Sequence, residues 1–187
     1  MMGVCPQDNV LWDDLTGPEH LRFYGRLKNV SGPQLEEEID ELLKAVNLHE
    51  DKSKKARQYS GGMKRRLSVA CSLIGHPRIV LLDEPSTGLD PASRRQLWAL
   101  INQRKKTCAM LLTTHAMEEA DVLCDKIGIF SAGELKCIGT SSEVCFFFFV
   151  SFAEVDILCF ALLVERTIWK GLQSDAARSA RTRRRSD

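Results

Sequence analysis

The chain has 187 residues, 44% hydrophobic and 27% charged, enough to bury one ordinary core with a tail and too apolar for an extended disordered polymer. Its 26 basic and 25 acidic side chains leave a net charge of +1, so the bulk balance gives no reason to expect nucleic acid as a partner. Seven cysteines, odd in number, widely spaced and without a C-x-x-C, suit reduced cytosolic thiols rather than a disulfide framework or a zinc site. The opening residues Met1 to Gln7 show neither the charged nor the apolar region of a secretory signal.

In chain order, the residues up to about 140 read as one alternating unit. Apolar Gly3-Val4-Cys5 runs into the polar turn Pro6-Gln7. The turn Leu15 to His20 leads to a short helix with Leu21, Phe23, Tyr24 and Leu27 at apolar spacing. Ser31-Gly32-Pro33 then offers a capping residue and a proline ahead of Leu35, Ile39, Leu42, Leu43 and Val46, again at helical spacing. The opposite face, Glu36, Glu37, Glu38, Asp40 and Glu41, is expected to be solvated. After the basic loop Lys52 to Arg57, Tyr59-Ser60-Gly61-Gly62-Met63 opens another helix. Met63, Leu67, Ala70, Cys71 and Ile74 form its apolar side, and Lys64, Arg65 and Arg66 are expected on the outer one. His76-Pro77 is expected to end it.

Ile79-Val80-Leu81-Leu82 is an unalternating apolar run bounded by prolines, the pattern of a strand buried on both faces of a parallel sheet. It ends in Asp83-Glu84-Pro85. Asp90-Pro91 starts the next helix by an acidic cap and a first-turn proline, with Leu97, Leu100 and Ile101 inward. Ala109 to Leu112 is a second buried strand that leads to Thr114-His115. Ala116 to Cys124 reads as helix, and Ile127 to Phe130 and Glu134 to Ile138 read as strands around the Ala132-Gly133 turn. Strands alternating with helices through short links imply an α/β fold with a parallel sheet, in which ligands bind at the carboxyl ends of the strands.

The residues expected at those ends can do chemistry. Paired acids leaving one buried strand, Asp83 and Glu84, suit one carboxylate holding Mg²⁺ through its waters and the other orienting an attacking water. His115 leaves the neighbouring strand, from which an imidazole can reach a γ-phosphate. A glycine pair at a helix start, an Asp-Glu-Pro strand end, Ser86-Thr87-Gly88-Leu89-Asp90 and Thr114-His115 come in one order. Nowhere in the 187 residues is there a G-x-x-x-x-G-K-S/T phosphate loop.

From the Q-loop onward, over roughly residues 3 to 140, the chain resembles the nucleotide-binding domain of an ABC transporter, a P-loop ATPase core with a helical signature subdomain. Tyr59 to Met63 resembles the LSGGQ signature, Ile79 to Asp83 the Walker B strand, Ser86 to Asp90 the D-loop, and Gln7 in Cys5-Pro6-Gln7 the Q-loop glutamine. Tyr-Ser-Gly-Gly-Met-Lys-Arg-Arg-Leu-Ser-Val-Ala and Leu-Thr-Thr-His-Ala-Met-Glu-Glu-Ala-Asp are similar to the A subfamily, which is associated with lipid transport. The resemblance implies Glu84 and His115 as catalytic residues. It implies nucleotide contacts from Gln7, Ser60, Gly61, Gly62, Asp83 and Asp90, with Asp83 and Gln7 at Mg²⁺ and ATP as the ligand.

It further implies a head-to-tail pair with a second nucleotide-binding domain, docking on transmembrane domains, and a place on the cytoplasmic face of a membrane. In such a pair the signature serves the partner's nucleotide. The implied divisions are a Q-loop region over 1–14, a helical subdomain with the signature over 15–75, and the Walker B, D-loop and switch-histidine part over 76–143.

A divergent tail, 144–187, is expected to lie outside the domain. It opens with Cys145-Phe146-Phe147-Phe148-Phe149-Val150 and ends in an arginine-rich run through Arg185. Glu154 and Asp156 argue against a membrane span there, since a central acid costs roughly 2.5–3.5 kcal/mol. Walker A and the adenine-stacking aromatic are expected upstream of Gln7, so the 187 residues alone are expected to bind ATP weakly or not at all. Three readings follow: an ATP-hydrolysing part of a lipid-type transporter; a binding or regulatory partner that lends its signature without turnover; and a soluble ABC protein of the translation or DNA-repair kind.

Overall fold

Three short apolar strands lie side by side in parallel, and helices pack against them. The computed structural model describes residues 1–131, 133–144 and 158–163. In chain order the elements are β1 (Met2–Cys5), α1 (Gly17–Leu27), α2 (Pro33–Ala45), α3 (Gly61–Leu73), β2 (Ile79–Asp83), α4 (Pro91–Arg104), β3 (Ala109–Thr114), α5 (Met117–Leu123), β4 (Lys126–Ser131), β5 (Glu134–Gly139) and β6 (Leu158–Leu163).

They form one six-stranded sheet in the order β1-β2-β3-β6-β4-β5. β1 pairs with β2 and β2 with β3 in parallel, in a register that aligns Cys5 with Leu82 and Leu82 with Leu112. The alternation of helices with strands dictates this direction, because a helical crossover returns the chain to the same edge. β4 and β5 form an antiparallel hairpin turned at Gly133, whose φ is 78°. The backbone of β6, from the segment set apart by composition, lies between β3 and β4 and is antiparallel to both.

The core joins the sheet to the helices. Leu21 of α1, Leu35, Ile39, Leu42 and Leu43 of α2, and Leu67, Val69, Ala70 and Leu73 of α3 are buried with Val80, Leu82, Met110 and Leu112 of the sheet. Helical spacing therefore located the apolar face of α2 correctly. On α1 it overreached, since Phe23 and Leu27 are 47% and 68% exposed. They share an open surface with Trp12, which packs edge-on against Phe23 with ring centroids 4.9 Å apart.

Several expectations of polarity change in the folded chain. Glu38 belongs to the acidic run of α2 yet is only 6% exposed. Its carboxylate accepts the Gly75 backbone N–H at 3.0 Å, which supplies a partner to an amide just past the end of α3. Arg65, expected on the outer side of α3, is 3% exposed. Gly32, with φ 75°, and not Ser31, is the cap before Pro33 of α2. α3 ends at Leu73 ahead of Gly75 and His76, both in left-handed conformation; the break is made one turn earlier than Pro77 requires.

Two acidic or hydroxyl caps stand as the sequence indicates. Ser60 Oγ accepts the Met63 N–H at 3.2 Å to start α3, and Asp90 accepts the Ser93 N–H at 3.0 Å to start α4. Among the described residues no helix is long and apolar enough to cross a membrane. The remainder of the tail lies outside the described residues.

β1 packs on α3 so closely that a Cβ at Gly3 would sit 2.0 Å from the Ser72 carbonyl oxygen, whereas a Cβ at Gly61 would meet nothing within 4 Å. Gly3→Ala is therefore expected to lower stability by about 1–3 kcal/mol or more through forced backbone movement. Gly61→Ala should stay within about 0.5 kcal/mol of the parent. Urea denaturation of both variants checks the contrast, and equal midpoints would refute it.

Candidate functional site

Because β1, β2 and β3 are parallel and in register, the residues that follow their carboxyl ends converge. Gln7 follows β1, Asp83 and Glu84 end β2, and Thr113 to His115 end β3. Glu84 is the centre of the cluster. Its Oε1 lies 3.0 Å from His115 Nδ1, and its Oε2 accepts the Thr87 hydroxyl at 3.0 Å and the Gln7 Nε2 at 3.5 Å. An ionised carboxylate only accepts, which makes His115 Nδ1 the donor and leaves Nε2 to a ligand. The His115 side chain is 64% exposed and that of Glu84 15%, so the carboxylate is recessed and the imidazole covers it.

The backbone at Glu84 is also unusual, with φ 46°, a left-handed conformation that a glutamate adopts at a cost of order 1–3 kcal/mol. Thr113 holds it there: its carbonyl oxygen and its Oγ1 accept the Glu84 N–H at 3.0 and 3.2 Å. The Thr113 hydroxyl in turn donates to Asp83 Oδ1. Sequence reasoning singled out Thr114 with His115, but the strand alternation turns Thr114 inward, where it is buried and its Oγ1 accepts the Ala116 N–H at 3.0 Å. Strand alternation puts Thr113 on the opposite face from Thr114, but the apolar run before them gives no sign of which face meets the acids.

Asp83 and the Gln7 amide supply hard oxygen donors at adjoining strand ends. The Gln7 Nε2 is engaged by Glu84, which leaves its Oε1 as the free acceptor of the amide. This pair fits Mg²⁺, which keeps several waters and takes one or two protein oxygens beside phosphate. Among the described residues no group of three or more His, Cys, Asp or Glu is placed to hold a metal ion.

The remaining candidates lie on other elements. Ser60, Gly61 and Gly62 form the exposed start of α3, Gly62 facing Leu89 of the 86–90 loop at 3.3 Å from a built Cβ. A helix start of this kind presents unsatisfied N–H groups and the positive end of the helix dipole, which favour an anion. Asp90 caps α4, and the Ser93 hydrogen bonds hold its carboxyl below the usual range. Sequence reasoning missed Arg65, whose buried guanidinium reaches both Asp83 and the Gln7 segment; a basic residue between two basic neighbours gave no sign of burial.

The hydrogen bond with His115 foremost, and that from Thr87 after it, hold the Glu84 carboxyl below its ordinary range. A carboxylate lowered in the folded state stabilises the fold above its unfolded value near 4.3, and that contribution is lost as pH falls through the folded value. Glu84→Gln should therefore lose less stability than the parent on acidification below about pH 4.3, read from urea midpoints as a function of pH. Identical acid slopes would contradict the network.

The chain is similar to known proteins of one family. The family described as ABC transporter matches over residues 1–87. ABC transporter A family member 12 of Arabidopsis thaliana is 60% identical over 145 residues, which cover 76% of this chain and 16% of that protein. A family member 4 of the same plant is 61% identical over the same shares. The chain thus spans about a sixth of the length of these curated relatives. A solved structure described as the ATP-binding subunit of an ABC transporter superposes with a TM-score of 0.70 at 30% identity, covering 81% of this chain and 64% of that one. The chain belongs to the ABC transporter family and, over its matched three quarters, to the ATP-binding domain of the A subfamily.

Proposed function

We propose that this chain is part of an ATP-hydrolysing domain that couples turnover to movement of a substrate, of lipid type, across a membrane. The observation that carries the reading is the convergence of Gln7, Thr87 and His115 on the recessed Glu84 carboxylate, beside the Asp83 carboxylate. In this reading Glu84 accepts a hydrogen bond from the attacking water and holds it in line, while His115 uses Nε2 toward the terminal phosphate. Asp83 and Gln7 hold the metal end of the nucleotide. Mg²⁺ with ATP, when bound, supplies neutralisation of the phosphate oxygens. Ser60, Gly61 and Gly62 offer a hydroxyl and bare amides to a nucleotide held by a second domain paired head to tail, and Asp90 shapes the loop beneath them by capping α4.

The transmembrane partner has a candidate landing place, on the cytoplasmic face of the membrane. Trp12, Phe23 and Leu27 are exposed on one side of α1 and its entry loop, and a groove of about 360 Å³ runs between β1 and α1, bordered by Val4, Val10, Leu27 and Lys28. Clustered exposed apolar side chains of this kind suit a protein contact.

A second reading is favoured by one observation: the 187 residues contain no phosphate-cradling G-x-x-x-x-G-K-S/T loop, so this stretch taken alone would lend its signature to a complete domain rather than hold a nucleotide itself. Equilibrium binding of labelled ATP to the purified chain, with Glu84→Gln alongside, is expected to show no saturation in the micromolar range; micromolar affinity in either sample would overturn the expectation of weak binding. Adding the chain to a complete nucleotide-binding domain is expected to raise that domain's ATP turnover. Gly61→Ala, which has room inside this chain, should abolish the rise by placing a methyl where the second nucleotide approaches. An undiminished rise with Gly61→Ala would sink the assignment of the signature face.

A further inference from the structure

Arg65 is a buried guanidinium, 3% exposed, whose hydrogen bonds among the described residues go to neutral acceptors. Its Nη1 donates to the carbonyl oxygens of Pro6 at 2.6 Å and Gln7 at 3.0 Å and to Asn9 Oδ1 at 3.4 Å. Its Nε donates to the Pro85 carbonyl at 3.3 Å, and its Nη2 to the Asp83 carbonyl. Burial of a guanidinium is tolerated where its donors are spent, and here they are spent on two segments distant in sequence. One segment carries Gln7. The other brackets Glu84, with an acceptor on either side of it.

The arginine belongs to the first turns of α3, the helix that starts at Ser60, Gly61 and Gly62. A planar fork of fixed donors transmits displacement better than a flexible ammonium does. We infer that Arg65 is a positioning residue that ties the start of α3 to both Gln7 and Glu84, so that an anion docked at Ser60–Gly62 and the acid cluster of the same chain are mechanically linked. The inference rests on the proposed role of that helix start, but the tie itself is a property of this chain alone. The bland alternative is an arginine that only supports the core.

Amide hydrogen exchange on the full chain separates the two. The backbone N–H groups of Glu84, Thr87 and Leu11 are hydrogen-bonded at 3.0 to 3.1 Å and report on the two clamped segments. Arg65→Gln is expected to speed exchange at all three by about tenfold or more, with Arg65→Lys intermediate, while amides of α2 and β3 change much less. A uniform acceleration across the chain, or none at the three reporters, would overturn the inference. Should neither variant fold, the parent protein still decides: the two segments should open together, with one denaturant dependence, and independent opening refutes the tie.

A second measurement reads the link to the helix start. Isotope-labelled chain is mixed with an ATP-loaded, hydrolysis-deficient complete nucleotide-binding domain, and the Gln7 side-chain amide and Glu84 resonances are followed. They should shift in the parent and stay in place in Arg65→Gln at equal occupancy; equal shifts in both would overturn the link. If the parent does not bind the second domain at all, the pairing reading fails and the exchange result alone judges the tie.

Discussion

The parallel register of β1, β2 and β3 is the constraint on which the candidate site depends. Pairing Cys5 with Leu82 and Leu82 with Leu112 fixes where each strand runs out, and a shift by one residue would reverse the facing of every side chain beyond it. With the observed register, Gln7, Glu84 and His115, which lie far apart in sequence, come within hydrogen-bond reach. Apolar burial pins that register: Val80, Leu82, Met110 and Leu112 share one face of the sheet and are almost completely excluded from water in the helix-covered core.

Strain at Glu84 is the complement of that order. A glutamate with positive φ is uncommon, and it persists here because Thr113 takes its N–H twice over and Thr87 and His115 hold its carboxylate. The result is an acceptor set at a defined place before any ligand arrives. Preorganisation of this kind lowers the cost of positioning a reactant, since the groups need not be ordered during the reaction. Thr113 does a second service by donating to Asp83, so that one hydroxyl orients both adjacent acids.

Polar contacts tie the helices to one another and to the strand ends. Glu38 caps the chain past α3, Lys28 Nζ donates to the carbonyls of Ser72 and Ile74 at 2.9 and 2.8 Å, and Arg65 gathers the strand ends. Each of these side chains satisfies backbone groups that a helix end or a turn leaves open. Burial pushes the Lys28 ammonium below its ordinary range, the expected direction for a cation taken from water.

The sequence by itself determined the α/β class, the helix starts at Ser60 and Asp90, the apolar face of α2 and the acids at the end of β2. Those features are local: a cap, a period or a proline acts within a few residues of where it is written. It also showed the family motifs, because their spacing is a property of the chain. Tertiary structure alone decided that Glu38 and Arg65 are inside, that Thr113 and not Thr114 faces the acids, and that β6 enters the sheet between β3 and β4. Each of these is settled by the segment that packs opposite. Charge in a helix reads as solvated until a distant carbonyl or amide takes its hydrogen bonds, and no local pattern announces that partner.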